Sequence, residues 1–197
     1  MTNLHATRSL LFTHAYEIEL LDEFPTNERR FYYPGAESTG GKDGLVVHVE
    51  PSIGRDWIGV FAFGDQSHEL LSGVFSTPSA NVLCVVSGGS GYLVHSDKPE
   101  WWSEAPLFPI TRVIELTEAG LMIFADFTSL CAWGTNGVVW RSQRLAWDDL
   151  TITSFENNML LGYGFDPILA ANVPFAVDAL TGDHTGGSSP ETHTRNR

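Results

Sequence analysis

One short pattern returns four times along this chain at an almost constant interval, and that regularity limits the folds open to it. Each instance is a Gly or Asn followed directly by a five-residue, largely apolar run: Gly44 then LVVHV, Asn81 then VLCVV, Gly120 then LMIFA, and Asn158 then MLLGY. The runs begin at Leu45, Val82, Leu121 and Met159, giving intervals of 37, 39 and 38 residues. Apolar runs of this length, bounded by turn residues, suit strands better than helices. Gly and Asn tolerate the positive φ that tight hairpin turns require.

The segments around each run support the same reading. Pro109–Leu116 precedes Gly120, Leu150–Phe155 precedes Asn158, and both alternate apolar with polar residues. A second strand-like segment follows each run: Trp57–Phe63, Tyr92–His95, Leu130–Trp133 and Phe175–Asp178. Units of about 38 residues, each holding three or four short strands, have the length of a propeller blade. One such meander cannot cover its own apolar faces, so neighbouring units must stack. The predicted fold is therefore all-β: tandem antiparallel meanders of about 38 residues, β-propeller-like, with a β-sandwich as the alternative. Four units fit from residue 44 onward, or five with the N-terminal segment, at the low end of the four to eight blades of closed rings.

The flanks carry less signal. Residues 1–43 are expected to supply a strand or cap region, with alternation at Tyr16–Leu20 favouring a strand over a helix. Pro25, Pro34 and Ser38–Gly44 mark loops. Residues 1–187 are expected to form a single β domain. The run SSPETHTRNR, residues 188–197, has no apolar side chain and is expected to be a disordered tail.

The stretch VDALTGDHTGG, Val177 to Gly187, carries Gly182 and Gly186-Gly187, and with the residue before it reads Ala176-x-Asp178-x-x-Thr181-Gly182. This resembles the repeat signature of quinoprotein-like (PQQ-type) β-propellers, which runs Ala-x-Asp-x-x-Thr-Gly, three residues, then Trp. In that family the Thr-Gly pair makes a turn between blade strands and the Trp docks between blades. Here the Trp position is Gly186. A second partial match, Ala132–Trp140, keeps Gly137 and Trp140 at a spacing one residue shorter and has no Asp. A third spans Gly91–Trp101. The resemblance covers roughly residues 44–187 and implies a propeller-like fold. The family's quinone-contacting residues have no counterparts here, so no cofactor is implied.

Charge removes some functional classes. The chain holds 24 acidic and 11 basic residues, a formal net charge of −13, with no basic block. Nucleic acid and anionic membrane surfaces are disfavoured, because both are held largely by clustered Lys and Arg. A basic protein partner is compatible with this charge, although solubility alone accounts for it; homo-oligomerisation is left open. Cys84 and Cys131 lie in apolar runs and are expected to be buried thiols. With no signal-peptide h-region and no apolar stretch approaching a membrane span, a cytoplasmic setting is expected.

Chemistry-bearing motifs are sparse. The histidines are His5, His14, His48, His68, His95, His184 and His193, with no pair at zinc-motif spacing and no CxxC. His48 with Glu50, and His95 with Asp97, each share one strand face, as strand-edge polar residues commonly do. Gly88-Gly-Ser-Gly91 lacks the nucleophile-elbow and P-loop patterns and sits where a hairpin turn belongs. Asp126 and Asp166 fall at related places in successive units, where they can cap turns. Asp148 and Asp149, after Trp147, suit a turn or a solvated strand entry. The best surface candidate is the proline-bracketed loop 97–106, carrying Trp101 and Trp102 as partner-binding residues, one expected to pack and the other to be exposed. The expected function is a non-catalytic binding or scaffold module for a protein partner. The alternative is a hydrolase or small-ligand enzyme whose site gathers His48, His95, Asp126 and Asp166 from distant strands. No metal site is predicted.

Overall fold

The computed structural model describes residues 6–23, 25, 29–34, 43–64 and 70–190, and its regular elements of three or more residues are all β-strands. The all-β expectation holds. Contacts group the chain into two compact units, Met1–Ile110 and Thr111–Arg197, each built from two sheets.

In the first unit one sheet has the order β2 (Tyr16–Leu21), β4 (Gly44–Pro51), β5 (Trp57–Ala62), β3 (Arg30–Tyr33). Its companion runs β1 (Thr7–Ser9), β6 (Gly73–Ser76), β7 (Val82–Ser87), β8 (Ser90–His95), β9 (Trp102–Glu104). In the second unit both sheets follow chain order. They are β10 (Arg112–Leu116) to β11 (Leu121–Ala125), β12 (Leu130–Gly134) and β13 (Gly137–Arg141), then β14 (Asp148–Glu156) to β15 (Met159–Asp166), β16 (Ala171–Asp178) and β17 (His184–Gly186).

The four recurring runs are β4, β7, β11 and β15. Each pairs antiparallel with the strand that follows it, β5, β8, β12 and β16. The second unit is two plain antiparallel meanders, as its sequence predicts. The first unit departs from that plan. β1 pairs parallel with β6, and β3 pairs parallel with β5, so N-terminal strands cover edges that the meander pattern leaves open. Such pairing needs a long connection, and its strands, TRS and RFYY, are too short to show a period.

Turn chemistry also divides the units. Gly120 has φ 63° and the pair Asn157–Asn158 has 50° and 64°, the left-handed pair that a two-residue hairpin between β14 and β15 needs. Gly88 and Gly89, at 53° and 79°, make the same kind of turn between β7 and β8, where the sequence places a hairpin. Gly44 and Asn81, however, do not adopt positive φ. Gly44 is required for a different reason: a Cβ there would collide with the backbone carbonyl of Phe61 on the paired strand.

Alternation along each strand sends one set of side chains into a core between the two sheets of its unit. In the first unit Val47, Val49, Trp57 and Phe61 meet Val74, Leu83, Val85 and Val94. In the second, Ile123, Leu130, Ala132 and Trp140 meet Ile152, Leu160, Phe175 and Val177. Cys84 and Cys131 are fully buried and form no disulfide. Burial pushes the Cys131 thiol up to about 11, with Arg141 acting weakly the other way.

The described residues run on through Pro190. Ser188 and Ser189 are buried; the Ser188 amide donates to the Leu145 carbonyl at 2.8 Å, and its hydroxyl donates to Asp166. Small polar residues look like a tail in the sequence, yet here they satisfy a buried carboxylate. The remainder of the expected tail, residues 191–197, lies outside the described residues, as do His5, His68, His193 and most of the Ser38–Gly44 loop. No helix among the described residues is long and apolar enough to cross a membrane.

Candidate functional site

The loop between β8 and β9 is braced from beneath. The Trp101 amide donates to the Lys98 carbonyl at 2.8 Å, closing one turn, and the His95 amide donates to the Trp101 carbonyl at 3.0 Å. From β3, the Tyr33 hydroxyl donates to the Pro99 carbonyl at 2.8 Å. Just before β3, Arg29 pairs with Glu100 at 2.8 Å while its guanidinium lies 4.7 Å from the Phe31 ring centre. Burial raises the Tyr33 phenol well above its ordinary range; Glu100 adds to this and Arg29 opposes it.

This bracing separates the two tryptophans. Trp102 turns inward, 5.5 Å from Tyr33 and 6.2 Å from Tyr92 by ring centres, and packs against the first unit's core. Trp101 turns outward with 59% of its surface exposed. Its ring has the Lys98 ammonium 4.5 Å from its centre and the His95 ring edge-on at 5.8 Å. A cation over an indole face and an imidazole edge against it hold the ring in one orientation. The result is a large, amphipathic side chain presented by a loop with little freedom left to lose.

The other sequence candidates have local roles. His48, on β4, lies 3.4 Å from Asp56 and 3.6 Å from Glu50 through its two ring nitrogens. Both carboxylates are largely exposed, so any attraction is screened by water. Asp126 follows β11 and accepts the amides of Thr128 and Ser129 at 2.6 and 2.7 Å, plus both of their hydroxyls. Asp166 ends β15, is fully buried, and accepts the amides of Ile168 and Leu169 at 2.7 and 3.0 Å as well as the Ser188 hydroxyl. Both carboxylates satisfy turn amides in the manner of Asx turns. Asp148 and Asp149 are exposed at the start of β14. Among the described residues no three His, Cys, Asp or Glu side chains gather as a metal would need.

The stretch around Thr181-Gly182 is the β16–β17 hairpin. Asp178 accepts the amides of Leu180 and Thr181 at 2.8 and 3.2 Å, and Gly182 has φ 79°. The ring of Trp140, on β13 of the neighbouring sheet, lies over this glycine. A Cβ at Gly182 would come within 2.7 Å of the indole. The Trp140 Nε1 donates to the Ala179 carbonyl at 2.9 Å. The first unit has an analogous bond that the sequence did not point to: Trp57 Nε1 donates to the Ser96 carbonyl at 2.7 Å.

One further surface was missed. The face of β14–β17 turned away from the core holds an open groove of about 750 Å³, lined by Thr153, Leu161, Tyr163, Asn172, Pro174 and Thr185. A smaller one of about 370 Å³, reaching Phe127 and Thr151, shares Tyr163 and Asn172 with it. The signal was present in MLLGYGFD, where Leu161, Tyr163 and Phe165 form an apolar set alternating with the buried Leu160, Gly162, Gly164 and Asp166. A strand that is apolar on both faces has two surfaces to cover.

No family model and no curated protein matches the chain. Among solved structures, one titled "Crystal structure of the eukaryotic initiation factor" is similar at 12% identity with a TM-score of 0.40, over 72% of this chain and 40% of that one. A likeness at that level carries no argument about fold detail or function.

Proposed function

We propose that this chain is a non-catalytic binding module, propeller-like in build, that holds a protein partner through the β8–β9 loop with Trp101 as its anchor. The single observation that carries this reading is an exposed tryptophan fixed between Lys98 and His95 on a loop tied down to β3. Tryptophan, with Tyr and Arg, is among the residues enriched at energetic centres of protein interfaces. The net charge of −13 suits a partner with a basic surface, whose approach would be accelerated at low salt. Neither Cys84 nor Cys131 forms a disulfide, which is in keeping with a reducing, cytoplasmic setting.

The propeller-like build is supported by the second unit. There Trp140 docks on the Gly182 turn of the next sheet, as the family resemblance implies for its tryptophan. The four sheets would then be tandem blades. The enzyme alternative gains nothing from Asp126 or Asp166, because their oxygens are taken up by turn amides and hydroxyls.

The test is affinity capture from the native host with the wild-type chain and with Trp101→Ala, followed by binding measurements on the purified pair. Loss of the partner by Trp101→Ala is expected, with the dissociation constant rising about 30-fold, the equivalent of a hot-spot truncation of ~2 kcal/mol. Equal capture by both proteins, or none by either, would sink the reading.

A further inference from the structure

The hairpin between β12 and β13 turns through Thr135 and Asn136, with Gly134 opposite Gly137 as its last rung. Gly137 has φ 111°, a backbone form that L side chains rarely adopt, so this turn demands glycine there. Asn is a favoured turn residue before it. The turn thereby sets an Asn-Gly pair at an exposed tip, and no other asparagine in the chain precedes a glycine. Among the described residues nothing hydrogen-bonds the Asn136 side-chain amide. The space beside Gly137 is open: apart from its chain neighbours, the nearest atom to a Cβ built there is the Trp133 ring, 3.9 Å away.

We infer that Asn136 is a modification site, at which the chain deamidates through its own backbone. The Gly137 nitrogen, deprotonated by hydroxide, attacks the Asn136 side-chain carbonyl carbon. A C–N bond forms, the bond to the side-chain NH2 breaks, and ammonia leaves as a succinimide ring closes. Water then opens the ring. Addition at the former side-chain carbonyl gives aspartate. Addition at the former main-chain carbonyl gives isoaspartate, in which the chain runs on through the side-chain carbon. No oxidant or reductant is consumed.

The other candidates each lack a part of this arrangement. Asn157 and Asn158 precede residues that carry a Cβ beside the attacking nitrogen, and Asn172 precedes the β-branched Val173 inside β16. Asp43 does precede a glycine, but Gly44 is wedged against the Phe61 carbonyl in the β4–β5 ladder.

The product matters because β13 goes on to Trp140, whose indole N–H donates to the Ala179 carbonyl at 2.9 Å and whose ring lies over Gly182. Isoaspartate lengthens the main chain at the turn by one methylene. β13 then cannot keep both its last rung with Gly134 and the seat of Trp140, so the hairpin loosens as the protein ages. Aspartate adds only a charge, at the exposed tip of a chain already at net −13.

Peptide mapping of the full chain during incubation in warm, mildly alkaline buffer tests this. Trypsin releases Val113–Arg141, in which Asn136 is the only asparagine, and Leu145–Arg195, whose Asn157, Asn158 and Asn172 serve as the internal comparison. The first peptide should convert to aspartyl and isoaspartyl forms, through one that has lost ammonia alone, at least about tenfold faster than the second changes. The rate should rise with pH. Asn136→Gln should leave the first peptide unchanged, because its longer side chain closes the ring poorly. Aged wild type should melt below equally aged Asn136→Gln, with faster hydrogen exchange in β12 and β13, whereas fresh Asn136→Asp should melt close to fresh wild type. A first peptide that changes no faster than the second overturns the site. Equal melting of aged wild type and aged Asn136→Gln, or an equal loss in fresh Asn136→Asp, overturns the loosening of the hairpin by the lengthened chain.

Discussion

Both units join their two sheets by an indole N–H, but they build the seat for that indole differently. Trp57 reaches the carbonyl of Ser96 and Trp140 that of Ala179, across 39 residues in each case. Ser96 and Ala179 each stand directly after the strand that follows a recurring run, β8 and β16. Around Trp57 the seat is aromatic: Phe31 lies edge-on at 5.7 Å, Tyr33 at 6.3 Å, and the indole is 1% exposed. Around Trp140 the seat is backbone: a left-handed glycine, Gly182, lets the hairpin turn pass under the ring. One bond type, made once with side-chain bulk and once with main-chain shape, shows that the donor and its acceptor position matter more than the surrounding residues.

The largest effects should come from removing the two indoles. Trp57→Ala is expected to destabilise by about 4–5 kcal/mol and Trp140→Ala by about 3 kcal/mol, because the first leaves a fully enclosed cavity among rings. Chemical denaturation measures the size of each effect, and hydrogen exchange its location. Faster exchange should concentrate in β4, β5, β7 and β8 for Trp57→Ala, and in β11, β12, β15 and β16 for Trp140→Ala. Uniform acceleration through both units by either variant would break the comparison.

The leading residues of the recurring runs offer a sharper contrast. Gly44→Asn should cost more than about 2 kcal/mol, because any Cβ there meets the Phe61 carbonyl. Gly120→Asn should lie within about 0.5 kcal/mol of wild type: the site has φ 63°, nothing stands within 4 Å of an added Cβ, and Asn tolerates αL, as Asn158 does natively. Equal penalties at the two sites would mean that both glycines serve the same purpose.

A smaller loss, about 1 kcal/mol, is expected for Asp178→Ala, which frees the amides of Leu180 and Thr181 at the exposed hairpin beneath Trp140. Thermal melts of Asp178→Ala and of the double variant with Trp140→Ala would test whether that turn and the indole act together. Losses that simply add would argue that they do not.

The mildest test uses alkali. Cys131 has its thiol held up to about 11 against an ordinary 9.0, so the folded chain keeps a proton that the unfolded chain releases. This contribution is whole below about pH 9 and fades as pH rises through 11. The buried phenols of Tyr33 and Tyr92, also raised, act with the same sign in the first unit from about pH 10 upward. Melting temperature should therefore fall from pH 9 to 11, and Cys131→Val should flatten the early part of that fall. A melting temperature independent of pH across this range would contradict the burial of all three groups.

Much of the strand plan was legible because it is local. Period-two alternation marked β2, β10 and β14, an apolar run marked β15, and Gly88–Gly91 and Asn158 marked two hairpins. The site was half legible. A loop with Trp101 and Trp102 was visible in the sequence, but which ring faces water depends on Tyr33 and Tyr92, residues the loop meets only in the folded chain. Asp126 and Asp166 had the right types for catalysis. They equally suited turn caps, and their hydrogen bonds decide for the turn.

The sequence by itself determined that this protein is made of strands and where its apolar runs recur, since both follow from the covalent order of near neighbours. Tertiary structure alone decided that β1 and β3 join in parallel, that Trp57 and Trp140 each find a carbonyl 39 residues away, and that Ser188 closes on Asp166. Those pairings are chosen by packing and by the need to satisfy buried donors and acceptors, and distant partners of that kind leave no periodic trace in the chain.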